Sequence, residues 1–215
     1  MKKTIKFSLA VAATLLLSSN AMALPSAGQS VKLFNGVNGT TNGGEFNVDV
    51  AGNSIAVDYT SFCLEVNEYI NYNTPYHIDS VADFAANGGV GGATDKKDYL
   101  DQKTKWVYWN YIQGTFGKSD VIANAVQSAI WFLEDEIDGL GDYATTVNDW
   151  LTKGAEKGFT IDGIVKVINL SDSNGVFKQS QIIGEAAPVP EPTTMLLFGT
   201  GLVGLAGIAR KRKNS

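Results

Sequence analysis

Cysteine and histidine are nearly missing from this 215-residue chain: Cys63 and His77 are the only examples of each. A lone cysteine excludes an internal disulfide. No zinc motif is present. No glycine-rich phosphate loop is present. Asp138-Gly139 comes nearest to a calcium loop, but it lacks the downstream spacing and the terminal Glu. The acidic groups Asp95 and Asp98, and Glu134, Asp135, Glu136 and Asp138, therefore read as solvated charge, with the second set a solvated helix end. No metal and no cofactor is expected. With one histidine, and no nucleophile–base motif better than Cys63 with a distant His77, no turnover enzyme is expected either.

Long apolar runs are confined to the two ends. Lys2, Lys3 and Lys6 precede the apolar run Phe7–Leu17, and Ala21-Met22-Ala23 follows. A basic start, a short apolar run and small residues at Ala21 and Ala23 mark a secretory signal peptide over residues 1–23, cut by a signal peptidase. At the other end Val189, Pro190, Glu191 and Pro192 precede a second run, Met195–Ala209. Arg210, Lys211, Arg212 and Lys213 close it. Proline keeps the chain extended. The apolar stretch can enter a bilayer as a transmembrane helix, and the basic cluster stays cytoplasmic. Seventeen residues from Thr193 to Ala209 span about 25 Å as helix, which is marginal for a lasting anchor.

This order of Pro-Glu-Pro, apolar run and basic cluster resembles the PEP-CTERM sorting signal of Gram-negative bacteria. The resemblance implies a transient inner-membrane anchor over residues 188–215. It also implies cleavage by an exosortase and release to the cell surface or extracellular matrix, where an exopolysaccharide-associated ligand is expected.

Between the ends, residues 24–187 are one domain's worth of chain. Basic residues are scarce there. The leader takes three Lys and the tail four basic residues. Ten Lys and Arg then face nearly all of the 22 Asp and Glu. Such a surface repels nucleic acid and anionic lipid, so no nucleic-acid role is expected.

Periodicity predicts strands on both sides of a helical middle. Val31–Phe34 is a short strand, and Asn35–Gly44 reads as a turn-rich loop. Glu45–Val50 alternates apolar and polar residues. Gly52-Asn53 turns the chain into a strand from Ile55 through Phe62 and Leu64. Tyr69–Ile78 is β-prone, and Gly88–Gly92 reads as a surface loop. Helices are predicted over Asp98–Phe116, from an N-cap at Ser119 to about Glu136, and over Tyr143–Lys153. Strands return at Ile164–Leu170 and Val176–Ile183. The fold class is α+β, with β-strands flanking a central helical segment.

Two segments stand out. One is Phe62-Cys63-Leu64-Glu65. The other is Val126-Gln127-Ser128-Ala129-Ile130-Trp131. Together they resemble the thioester domains of bacterial surface adhesins. That family carries a Cys followed by a hydrophobic and an acidic residue, a helical Thr-Gln-x-Ala-hydrophobic-Trp block, and a late strand with Gln before hydrophobic residues. The resemblance implies that the Cys63 thiol is joined to a late Gln. Gln181 before Ile182 and Ile183 fits best, and Gln179 is the alternative. Gln127 and Trp131 belong to the supporting block, and Glu65 is a candidate proton shuttle. Val126 stands where the family has Thr, and Ser180 stands where a hydrophobic residue is usual. A covalent adhesin is the function implied. One alternative is a non-catalytic matrix protein with an inert buried Cys63. A third is a cysteine hydrolase pairing Cys63 with His77.

Overall fold

The computed structural model describes residues 24–40, 43–50 and 58–186. The expected leader (1–23), the tail (188–215) and the turn at Gly52-Asn53 lie outside them. Eight strands and three α-helices occur among the described residues. They follow the order β1 (Ser30–Thr40), β2 (Gly43–Val50), β3 (Tyr59–Cys63), β4 (Pro75–Ala82), β5 (Phe84–Ala86), β6 (Lys97–Tyr99), α1 (Gln102–Ile112), α2 (Asp120–Leu133), α3 (Ala144–Glu156), β7 (Gly163–Ser171) and β8 (Phe177–Ala186). Mixed content with helices between strands agrees with the α+β expectation.

Six strands close into a barrel in the order β1-β2-β3-β8-β7-β4, and every neighbouring pair is antiparallel. Alternation sorts the side chains into two cores. Val31, Leu33, Val48, Cys63, Tyr76, Ile78, Ile168, Leu170 and Ile183 fill the lumen. Phe62, Val167 and Ile182 point outward into a second core with the helices. There Phe62 meets Tyr111 edge-on at 5.1 Å, an arrangement worth about 1 kcal/mol beyond simple burial.

Two expectations change. Asn35–Gly44 is not a loop: β1 runs to Thr40 and β2 begins at Gly43, with Gly39 opposite Gly44 and Thr40 opposite Gly43. Ladder hydrogen bonds come from the backbone, so small polar residues can still pair. The first helix starts later than Asp98, because Lys97–Tyr99 pairs with Phe84–Ala86. Asp101 then caps α1 by accepting from the Lys103 N–H at 2.6 Å. Ser119 caps α2 as expected, accepting from the Ile122 N–H at 3.3 Å.

Candidate functional site

Cys63 is the last residue of β3, and its neighbour across the barrel seam is β8. Phe62 stands opposite Ile182 and Cys63 opposite Gln181. The Leu64 N–H donates to the Ser180 carbonyl at 3.1 Å. The Cys63 N–H and carbonyl turn the other way, toward α2, so Cys63 and Gln181 form a non-hydrogen-bonded pair. In such pairs the facing side chains approach most closely.

Gln127 of α2 takes the place of a missing strand beside Cys63. Its Oε1 accepts from the Cys63 N–H at 3.1 Å, and its Nε2 donates to the Cys63 carbonyl at 2.8 Å. Asp120 and Asn124, seven and three residues earlier on the helix, do the same for the end of β1. Asp120 accepts from the Gly39 N–H at 2.9 Å, and Asn124 accepts from the Thr40 N–H at 3.1 Å. The sequence reading missed Asp120 and Asn124. Their spacing with Gln127, a polar line on an otherwise apolar helix, was the available signal.

The lumen side of the seam is polar. The Cys63 Sγ–H donates to Gln179 Oε1 at 2.9 Å. Gln181 Nε2 donates toward Sγ at 3.7 Å. Ser61 Oγ donates to Gln181 Oε1 at 2.9 Å. Gln179 Nε2 donates to the Glu65 carbonyl at 2.6 Å. All five of these residues are buried, with Ser61 and Gln181 fully so. The structure thus brings Cys63, Gln179, Gln181, Gln127 and Glu65 together. Trp131, one helical turn beyond Gln127, packs against the lumen core, with its indole N–H buried and unpartnered. Ser61 was not singled out by sequence, because a serine within a strand carries no signal of its own.

Burial governs the electrostatics. It pushes the Cys63 thiol well above its ordinary range; the Gln181 hydrogen bond opposes this, and Glu65 adds to it. Burial thus favours the protonated thiol over the thiolate. Glu65 is pushed up to about 8, chiefly by burial, against the hydrogen bond from Ser180. Its Oε2 accepts from the Ser180 N–H at 2.7 Å, and its Oε1 is buried without a partner.

The acidic stretch after α2 departs from expectation. Glu134 and Glu136 are buried rather than solvated. Backbone N–H groups satisfy them: Asp101 donates to Glu134 at 3.1 Å, and Val66 and Gly91 donate to Glu136 at 2.8 Å each. Gly89 admits that carboxylate because any Cβ there would collide with Glu136 Oε2. The hydrogen bond from Val66 also ties the segment just past Cys63 in place.

The Cys63–His77 pairing is not formed. His77 lies on β4, which neighbours β1 and β7 rather than β3. It alternates with the lumen residues Tyr76 and Ile78 and is exposed on the outer face. Among the described residues no group of three or more His, Cys, Asp or Glu could hold a metal ion. No described helix is long and apolar enough to cross a membrane. An open cleft of about 460 Å³, lined by Trp106, Trp109 and Asp162 among others, contains none of the sequence-predicted residues.

One family, described as the PEP-CTERM protein-sorting motif, matches residues 188–213. The match supports an exported precursor that an exosortase processes and sorts to the cell surface. Nothing matches among curated proteins or among solved structures.

Proposed function

We propose that the mature chain is a surface or matrix protein of a Gram-negative bacterium that binds covalently through an internal thioester of Cys63. Signal peptidase and exosortase process its ends. The bond is acyl to the Gln181 carboxamide carbon, with Gln179 the alternative. The observation that carries this is a buried thiol bracketed by two glutamine carboxamides, at 2.9 Å from one and 3.7 Å from the other. Loss of ammonia from such a pair leaves an acyl–sulfur bond. That bond is electrophilic and shielded until a nucleophile on a surface or matrix ligand reaches it.

Intact mass of the exported protein tests the proposal. The expected result is a deficit of one ammonia, restored by the mass of methylamine on treatment with that amine. Cys63→Ala should lack both the deficit and the uptake. Full mass in the wild type, together with a Cys63 that a thiol reagent labels quantitatively, would refute it.

A second reading is a non-catalytic matrix protein with Cys63 as a lumen side chain. It is favoured by the near-complete burial of the thiol, which is 3 % exposed. It predicts full mass and a Cys63 that labels only after unfolding.

A further inference from the structure

Resting on the thioester proposal, we infer that Ser61 is a catalytic hydroxyl, holding the acyl oxygen of Gln181 while Gln179 serves only as the thiol's hydrogen-bond acceptor. The two glutamines are not equivalent. Gln181 presents its oxygen to Ser61 Oγ at 2.9 Å and its nitrogen to Cys63 Sγ at 3.7 Å. Its carboxamide carbon thus lies between a hydrogen-bond donor and the attacking atom. Gln179 is turned the other way. Its oxygen is taken by the thiol itself, and its nitrogen is tied to the Glu65 carbonyl at 2.6 Å. Among the described residues no hydroxyl or backbone N–H is paired with the Gln179 oxygen.

The register explains the division. Ser61 and Cys63 are two apart on β3 and share the lumen face. Gln181 stands directly opposite Cys63, so its side chain reaches both. Ser61 has one other acceptor, the Phe62 carbonyl at a longer 3.4 Å. Its hydroxyl proton is therefore directed at Gln181.

The step balances without another reactant. Sulfur bonds to Gln181 Cδ, and the carbonyl electron pair moves onto Oε1, which the Ser61 O–H holds. The thiol proton passes to Nε2. The carbon–nitrogen bond breaks as the carbonyl re-forms, and ammonia leaves. Capture of a ligand amine runs over the same carbon: the amine nitrogen bonds, Ser61 again holds the oxygen, and the thiol leaves with the amine's proton. A donor placed where charge develops, in a buried site, is worth roughly a hundredfold or more in rate.

The test follows methylamine uptake by intact mass in the exported, processed protein. Urea unfolding midpoints establish that each variant is folded. Ser61→Ala should take up methylamine about a hundredfold more slowly than wild type, and Ser61→Thr, which keeps the hydroxyl, should recover most of the rate. Gln181→Glu should abolish the ammonia deficit, whereas Gln179→Glu should retain it. A folded Ser61→Ala that reacts at the wild-type rate overturns the role of Ser61. A deficit lost in Gln179→Glu and kept in Gln181→Glu overturns the assignment of the acyl partner. If Ser61→Ala does not fold, Ser61→Gly gives the same comparison, and the two glutamine variants still decide the partner. Full mass in the wild type refutes the thioester itself and is distinct from all of these outcomes.

Discussion

Gln127→Ala would show whether the helical block acts through hydrogen bonding or merely through its apolar face. The Gln127 amide pairs with both the N–H and the carbonyl of Cys63, at 3.1 and 2.8 Å, and it is 1 % exposed. Truncation leaves two buried backbone groups without partners. Each such orphan costs about 1–3 kcal/mol, so the expected loss is roughly 2–6 kcal/mol. For a domain of this size, 1 kcal/mol moves the melting temperature by about 2–4 °C. The midpoint should therefore fall by at least about 4 °C in thermal unfolding followed by circular dichroism. Gln127→Met keeps the side-chain length without the amide and should fall nearly as far. Asn124→Ala removes one acceptor from the exposed Thr40 N–H and should cost less than about 1 kcal/mol. Gln127→Ala and Gln127→Met both melting within 1 °C of wild type would refute the view that this side chain completes the β3 edge.

Other outcomes follow from the same geometry. Glu65 ionises at about 8 in the fold, against an ordinary 4.5, so the folded state holds its proton longer than the unfolded chain. Its contribution is complete below pH 4.5 and is lost as pH rises through 8; stability should fall on the order of 3 kcal/mol between pH 5 and pH 8, and urea titrations of Glu65→Gln should show a flatter profile. Cys63→Ala removes one buried sulfur, about 1–2 kcal/mol, and with it the proposed cross-link, a further loss of about 5 kcal/mol, so its urea midpoint should fall well below that of the bonded wild type while methylamine uptake disappears. His77→Ala, on the outer face, should change stability by less than about 0.5 kcal/mol and leave uptake unchanged; a hydrolytic activity abolished by both His77→Ala and Cys63→Ala would favour the cysteine hydrolase instead. C-terminal sequencing of the secreted form should find Arg210–Lys213 gone when an exosortase is present, and their recovery would sink the sorting claim.

Alternation made β2 legible, because half-buried strands repeat every two residues, and β7 and β8 carried a strand signal of their own. Helix α2 was legible from Ser119 and its apolar stripe. The barrel was not. Strand order depends on which edges meet, and nothing local in Tyr59–Cys63 says that its second neighbour is β8, more than a hundred residues away. Glycine and asparagine in Asn35–Gly44 hid the extension of β1, since that pairing uses backbone groups alone. Glu134 and Glu136 were misread because charge signals solvent only when no N–H groups are supplied from elsewhere. At the candidate site, the segments holding Cys63 and Gln127 stood out by motif. Ser61, Asp120 and Asn124 did not, because their importance comes from what the topology places opposite them.

The polar lining of the seam bears on which reading of Cys63 is physically economical. A barrel lumen packs most simply with apolar side chains, and burying a carboxamide costs free energy unless its groups are paired. Here Ser61, Cys63, Gln179 and Gln181 are paired mainly with one another and with Glu65, so each depends on the rest. A partly broken network of this kind is worse than none. The arrangement also sits at a weak point. The named β3–β8 ladder holds only two residue pairs, yet it closes the barrel between segments 118 positions apart. A covalent link at that place would restrict the unfolded chain by about 5 kcal/mol, by the loop-closure reasoning applied to disulfides. An inert thiol leaves this costly, mutually dependent cluster at the shortest seam without a return. A Cys63–Gln181 bond turns the same residues into the staple that closes the barrel. Breaking that bond on ligand capture would then loosen the seam at the moment of attachment.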